Sequence, residues 1–342
     1  MMDNDLLYVE LKNTLMRSIY EGTYAAGQPI PSERTLSELY GLSGVTVRKT
    51  LQLLANQGII RKKTGLGNIV SFERGSHPGK LDQIALVAPA QRTFFSLFLD
   101  HFQRIADAAD ALVFFIQQSE RERIEDTLFR LLLHGIHNCV IWLDYKMLDP
   151  VYIERLRALG MNMVFFDIPV STPYADNVIL DNTDAIHSLC QYLRENGRSP
   201  LAYVSRENTS PTSFFEREIA FSAENPHSVI LHIPWFHSGY LAEHMNRFIL
   251  DTLYPAHRPG SLLCSDGEIG VALKKALQYH EIDDILIASI DDFPEAEELS
   301  LTVYRQPYDR FAQQVFDCLA TQNASAGWRA GTYRIKGELL IR

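Results

Sequence analysis

Residues 41–80 carry seven lysines and arginines (Arg48, Lys49, Arg61, Lys62, Lys63, Arg74 and Lys80) against a single acid, Glu73. From residue 81 onward the balance reverses to 22 basic and 35 acidic side chains, and the whole chain has a formal net charge of −10. A small basic segment on an acidic body is the pattern of a nucleic-acid contact confined to one module. A solvated charged face is the alternative that charge alone leaves open. A second group of polar residues follows apolar runs: Asp167 after Phe166, Ser265-Asp266 after Cys264, and Asp291 after Ile290. Side chains just beyond the C-terminal ends of parallel strands line the ligand crevices of open α/β sheets. Carboxylates and amides around aromatic surface suit the hydroxyls and apolar face of a sugar. Phe94 and Phe95 suit either stacking on such a ligand or core packing. Asp167 and Asp291 suit either ligand contact or a helix cap or hinge hydrogen bond.

Catalytic chemistry finds little support. The chain has no G-x-S-x-G elbow, no H-E-x-x-H and no P-loop, and Gly65-x-Gly67 lacks the later glycine of a dinucleotide loop. His134 and His137 lie three apart beside Gly135 with no further ligand candidates nearby. Cys139, Cys190, Cys264 and Cys318 are widely spaced and sit in or beside apolar segments, as small buried hydrophobes do. No catalytic residue, metal or cofactor is expected. The acidic start, Met1-Met2-Asp3-Asn4-Asp5, lacks the basic and apolar blocks of a signal peptide, and no apolar run is long enough for a membrane helix. A cytoplasmic protein without membrane contact is the expectation.

The basic segment needs elements to position it. Leu7, Leu11, Leu15 and Ile19 form one apolar stripe on a helix. Ser32 caps a second helix that stops at Gly41, and Ser43 caps a third carrying Val47, Leu51 and Leu54. Two short helices joined so tightly make a helix-turn-helix with the later helix as reader. Ile59–Lys63 and Asn68–Phe72 read as strands around the turn Thr64-Gly65-Leu66-Gly67, which makes a wing. Lys62 and Lys63 on that wing suit phosphate contact or simple exposure. The blocks Pro31-Ser32-Glu33-Arg34-x-Leu36-Ser37, Thr46-Val47-Arg48, Gly58-Ile59-Ile60 and Gly65-x-Gly67 make residues 8–72 resemble the DNA-binding domain of GntR-family bacterial regulators. The resemblance implies that Arg34 and Arg48 contact DNA, with Ser43, Thr46 and Lys49 on the reading helix and Lys62, Lys63, Gly65 and Gly67 on the wing. Gly44 and Leu66 depart from the polar or basic residues usual there, which points to altered operator recognition.

After a polar, Gly- and Pro-containing linker over 73–80, apolar runs recur at 84–88, 112–116, 140–143, 163–166, 201–204, 229–233, 262–264 and 285–290, with helical periodicity between most of them. Doubly buried strands alternating with helices indicate parallel α/β sheets, here in two lobes. Ile84–Pro89, Val164–Asp167, Asp181-Asn182, Ser265-Asp266, Ile290–Asp292, Thr302–Pro307 and Glu338–Arg342 resemble, in order and spacing, the effector domain of lactose- and galactose-repressor regulators, with the fold of type I periplasmic binding proteins. A GntR-type reader on such a body is the arrangement of the arabinose-repressor-like subgroup. The resemblance assigns Asp167, Ser265, Asp266 and Asp291 to an effector site and adds Arg217 and Gln306. Arg92-Thr93 and Ala220 depart from the family's Asn-Pro and glycine.

The expected architecture is a winged helix-turn-helix over 1–72 joined to a two-lobed body over 81–342. Lobe one is expected at about 81–180 and 308–325, and lobe two at about 181–307 and 326–342. The expected function is an operator-binding transcription factor, a homodimer and a repressor, controlled by a sugar-like effector held between the lobes. A ligand sensor with weakened or altered DNA recognition is the alternative, with a solute-binding protein behind it.

Overall fold

A computed structural model describes residues 2–71, 81–88, 93–119, 121–143, 148–207, 213–234, 241–253, 258–324 and 327–342. The head contains α1 (Met2–Glu21), α2 (Glu33–Tyr40), α3 (Gly44–Asn56), β1 (Ile60–Lys63) and β2 (Gly67–Val70). Local chemistry sets its boundaries. The Ser32 and Ser43 hydroxyls accept the backbone N–H of Thr35 and Thr46, so each caps the helix that follows. Between them Gly41 adopts φ 64°, the left-handed conformation that ends α2 and lets the chain turn at once into α3. Leu11, Leu15, Leu36, Val47, Leu51 and Leu54 are buried together, and β1 pairs antiparallel with β2 to form the wing. Phe72 and the expected linker at 73–80 lie outside the described residues.

The body continues β3 (Gln83–Ala88), α4 (Thr93–Ala108), β4 (Leu112–Gln117), α5 (Ile124–Leu133), β5 (Asn138–Ile141), α6 (Pro150–Ala158), β6 (Asn162–Phe166) and β7 (Asp176–Leu180). Then follow α7 (Asn182–Asn196), β8 (Leu201–Arg206), α8 (Ser213–Glu224), β9 (Val229–Ile233), α9 (Leu241–Phe248), a π-helical turn (Ile249–Leu253), β10 (Ser261–Cys264), α10 (Gly267–Tyr279), β11 (Leu286–Ile290), α11 (Pro294–Glu298) and β12 (Thr302–Arg305). The chain closes with α12 (Tyr308–Ala324), β13 (Thr332–Ile335) and β14 (Glu338–Leu340).

Among the described residues these strands form two six-stranded sheets, ordered β13-β7-β6-β5-β3-β4 and β14-β12-β11-β10-β8-β9. All pairings are parallel except β12 with β14. Every residue of β5, β6, β7 and β10 is buried, as expected of strands covered by helices on both faces. In the first lobe Phe98 stacks on Phe166 with ring centroids 4.1 Å apart, which locks α4 onto β6.

One expected boundary is corrected. Residues 326–342 do not all belong to the second lobe, because β13 pairs with β7 in the first-lobe sheet and only β14 joins the second. The buried carboxylate of Asp176 explains the return. It accepts the Gly331 N–H at 2.8 Å, the Trp328 Nε1–H at 3.0 Å and the Gln322 side-chain amide at 2.7 Å, anchoring both α12 and the approach to β13. The chain therefore passes between lobes at 180–182, 305–308 and 335–338.

The head rests on the first lobe through the end of α1. Tyr20 is only 4% exposed, and its ring lies parallel to Phe129 of α5 at 4.1 Å and against Tyr152 of α6 at 5.0 Å. Its hydroxyl donates to Asp126 at 3.0 Å, and its carbonyl accepts from Arg155 Nη1 at 2.9 Å. Gly22 follows with φ 87°, and a Cβ there would lie 2.5 Å from Arg155 Nη2. The positive φ with which the chain leaves the helix favours glycine, and the missing side chain leaves room for that guanidinium.

Candidate DNA-reading face and interlobe cleft

The basic side chains of α2, α3 and β1 are solvated. Arg34 on α2 and Arg48 on α3 are exposed, and each meets a surface carboxylate, Glu38 at 3.8 Å and Glu33 at 3.3 Å respectively. Such pairs are weak and exchange readily for phosphate or base contacts. Lys62 and Lys63 are both exposed on β1, and Gly65 and Gly67 give the wing tip its positive φ angles of 80° and 78°. Ser43 and Thr46 are engaged in the cap of α3. Thr46 is turned inward at 4% exposure, with its hydroxyl 2.8 Å from Ser43 Oγ, so its side chain faces the head's core rather than the reading face. Val45, which sequence reasoning passed over, is the outward residue there at 72% exposure. Lys49 remains exposed, with its ammonium 3.8 Å from the centre of the Tyr8 ring.

The second site is a cleft between the lobes at the C-terminal ends of their strands. The first lobe contributes Phe94, Trp142, Leu143 and Asp167. The second contributes Arg206, Ser213, Phe214, Arg217, Asp266, Glu268, Asp291 and Phe293, with Gln306 at the lobe crossing. Asp167 and Asp291 have φ angles of 53° and 75°, a strained conformation in which a short acidic side chain is tolerated at a strand end.

Buried polar contacts organise the cleft. Arg206 Nε donates to Asp266 at 2.9 Å and its Nη2 to Glu268 at 3.1 Å. Arg217 is 2% exposed, and it donates from Nε to Asn182 Oδ1 at 2.8 Å and from Nη1 to the Ser265 carbonyl at 2.7 Å. Asp291 accepts from the Gln306 side-chain amide and, at 3.3 Å, from the Gly267 N–H. Burial opposes ionisation of Asp266, but the Arg206 guanidinium overrides it and holds that carboxyl below its usual range. At Asp291 burial prevails and raises the carboxyl above its usual range despite nearby Arg217.

The structure brings Asp167, Arg217, Asp266, Asp291, Gln306 and Phe94 together. Two expected residues do not line the cleft. Phe95 turns into the core, stacked on Trp142 at 5.4 Å and against Phe115 at 5.3 Å. Ser265 is wholly buried behind the wall, where its carbonyl fixes Arg217 and its hydroxyl donates to Asp266 at 3.1 Å. Sequence reasoning missed Trp142, Arg206, Phe214 and Glu268. Trp142 follows β5 and Arg206 ends β8, so the strand-end rule that found the aspartates applies to both. Neither histidine of the spaced pair enters the cleft, and His137 Nδ1 lies 3.2 Å from the Gly160 carbonyl.

Comparison with known proteins agrees with this geometry. Residues 7–70 match the bacterial regulatory proteins of the gntR family. The HTH-type transcriptional regulator GgaR of Escherichia coli (strain K12) is 33% identical over 173 residues, covering 46% of this chain and 70% of that protein. A LacI family transcriptional regulator from Enterococcus faecium, solved with bound ribose, superposes with a TM-score of 0.64 at 16% identity, covering 76% of this chain and 97% of that one. The lac repressor dimer bound to operator and the anti-inducer ONPF superposes with a TM-score of 0.62 at 15% identity, covering 77% and 93%. These low identities establish the fold of the body, whereas the head and the GgaR match establish kinship. The chain belongs to the gntR family of bacterial regulatory proteins, a transcriptional regulator whose DNA-binding helix-turn-helix head is joined to a body with the fold of LacI-family regulators.

Proposed function

We propose that this regulator is a homodimeric, cytoplasmic repressor that binds operator DNA and is controlled by a sugar or sugar-like polyol held between its lobes. The observation that carries the proposal is the cleft. Carboxylates, guanidinium groups and a glutamine amide converge with Phe94, Trp142, Phe214 and Phe293 on a space between two lobes, in the same chain as a solvated basic reader. Arg34, Arg48, Lys62 and Lys63 are the proposed DNA contacts, with the α3 N-terminus and the wing glycines placing backbone against phosphate. The Enterococcus faecium regulator of this fold, solved with bound ribose, supports a polyol ligand. A thermal-shift scan of sugars and polyols tests the proposal. A specific ligand at about a hundredfold excess over its Kd stabilises the protein by about 2.7 kcal/mol. Failure of every sugar and polyol to shift the melting temperature rejects the effector class.

A route from cleft to head also supports the proposal. Trp142 and Leu143 line the cleft, and the chain soon reaches Asp149, which caps α6 by accepting the Val151 N–H at 2.9 Å. The Asp149 N–H donates to Glu125 of α5 at 2.7 Å. Helices α5 and α6 are the two that grip Tyr20, so a ligand that shifted this wall would act on the seat of the head. Ligand acts on DNA affinity only insofar as it binds one arrangement better than the other.

The lac repressor dimer is the precedent for assembly, and an exposed sheet edge supports it here. Strand β4 borders the first-lobe sheet and exposes Leu112 at 62% and Phe114 at 38%, an apolar edge that soluble monomers usually cover or charge. Phe114→Asp is expected to yield monomers in sedimentation velocity and to weaken operator binding, since each half-site then binds alone. A Phe114→Asp protein that sediments as a dimer places the interface elsewhere.

Gly44 and exposed Leu66 favour an operator preference unlike that of readers with basic or polar residues at those positions. Selection of binding sequences from a random DNA pool would expose this as an unfamiliar consensus.

A further inference from the structure

We propose that the cleft selects polyols that carry no anionic group, and that the Asp266–Arg206–Glu268 clamp sets this selectivity. The inference rests on the polyol reading of the cleft and narrows it. Asp167, Asp266, Glu268 and Asp291 face two guanidinium groups, so the lining carries a formal excess of two negative charges. Arg206 is committed before any ligand arrives. It is clasped between Asp266 and Glu268, with the Phe214 ring centre 5.0 Å from its Cζ. Arg217 is paired with no carboxylate among the described residues, and its Nε and Nη1 are engaged by Asn182 and the Ser265 carbonyl, with Phe214 5.5 Å away on the same side of the cleft.

The start of α10 would otherwise receive an anion, because its first backbone N–H groups have no helical partner. Here carboxylates already fill it. The Gly267 N–H donates to Asp291, and the Ile269 N–H donates to Asp266 at 3.0 Å. A Cβ on Gly267 would sit 2.9 Å from the Asp291 Cβ, which shows how closely that carboxylate is seated. The lining is therefore rich in acceptors. Gln306 gives its amide N–H to Asp291, while its buried Oε1 has no hydrogen-bond partner among the described residues. A ligand hydroxyl can donate there and to the carboxylates, whereas a phosphate or carboxylate can only accept. An anionic ligand would meet like charge, and to reach Arg206 it would have to break an existing ion pair.

The test pairs neutral ligands with their anionic derivatives on the full chain. Isothermal titration uses D-ribose, L-arabinose, D-glucose, D-galactose and trehalose beside ribose 5-phosphate, glucose 6-phosphate, trehalose 6-phosphate and glucuronate. A neutral sugar is expected to bind, and its anionic derivative to bind about a hundredfold more weakly or worse. Glu268→Gln removes one carboxylate and releases one arm of Arg206, so it should narrow that ratio about tenfold. Asp167→Asn removes a different charge, at a backbone position that asparagine tolerates, and should narrow the ratio likewise. A phosphate ester that binds the unaltered protein as tightly as its parent sugar overturns the selectivity while leaving the polyol reading intact. An unchanged ratio in both variants overturns it as well. Absence of binding by every compound overturns the polyol reading and this inference with it.

Discussion

Arg34→Ala and Arg48→Ala are each expected to weaken operator binding by about 1–3 kcal/mol, the usual worth of a bidentate base contact. Combined, the two should remove most sequence preference, because they reach from the two helices of the same motif. Their present partners do not compete strongly. Glu38 and Glu33 are surface carboxylates, and such pairs exchange at little cost for a phosphate or a guanine edge. Lys62→Ala should behave differently, weakening all sequences alike and lowering the slope of log affinity against log salt by about 0.9. Thr46→Ala should act through stability, since its hydroxyl serves the cap of α3 and is turned from solvent. Gel-shift titrations against a sequence selected from random DNA, at several salt concentrations, separate these behaviours. Unchanged affinity in both arginine variants would reject the proposed reading face.

These expectations were legible because the head is built from local signals. Ser32, Gly41 and Ser43 act within three or four residues of themselves, so the turn between α2 and α3 can be inferred from their order. The central strands of both lobes were legible for a different reason: burial on both faces makes them short, continuous apolar runs. β13 lacks that signature. Thr332-Tyr333-Arg334-Ile335 lies at a sheet edge with most of its residues exposed, and its place depends on Asp176, more than 150 residues earlier. No local pattern encodes such a contact.

The cleft was partly legible for equally physical reasons. Asp167, Asp266 and Asp291 stand out as acids ending apolar strands. Trp142 escaped because an aromatic after an apolar run reads as its continuation. Arg206 escaped because its acidic partners lie 60 and 62 residues away, and only the folded chain brings them together. Phe94 and Phe95 are neighbours on one helix, about 100° apart around its axis, so only one of them can face the cleft.

Tyr20→Ala is expected to separate head from body while both remain folded. The side chain is buried between α5 and α6, and truncating a buried aromatic costs about 3–5 kcal/mol in a well-packed core. Calorimetry should then show two transitions in place of one, as the head melts independently of the lobes. Tyr20→Phe keeps the stack on Phe129 and loses only the hydrogen bond to Asp126, a loss of about 1 kcal/mol, so it should retain a single transition. The same pair of variants tests communication with the cleft. If Trp142, Asp149, Glu125 and the two helices carry ligand occupancy to the head, Tyr20→Ala should still bind ligand and still bind DNA. The factor by which a bound polyol changes operator affinity should fall toward one, from the roughly 5–150-fold typical of coupled sites. The Tyr20→Phe protein should keep most of that factor. Full ligand response in Tyr20→Ala would show that the signal leaves the body by another path, leaving the Tyr20 seat a purely structural contact.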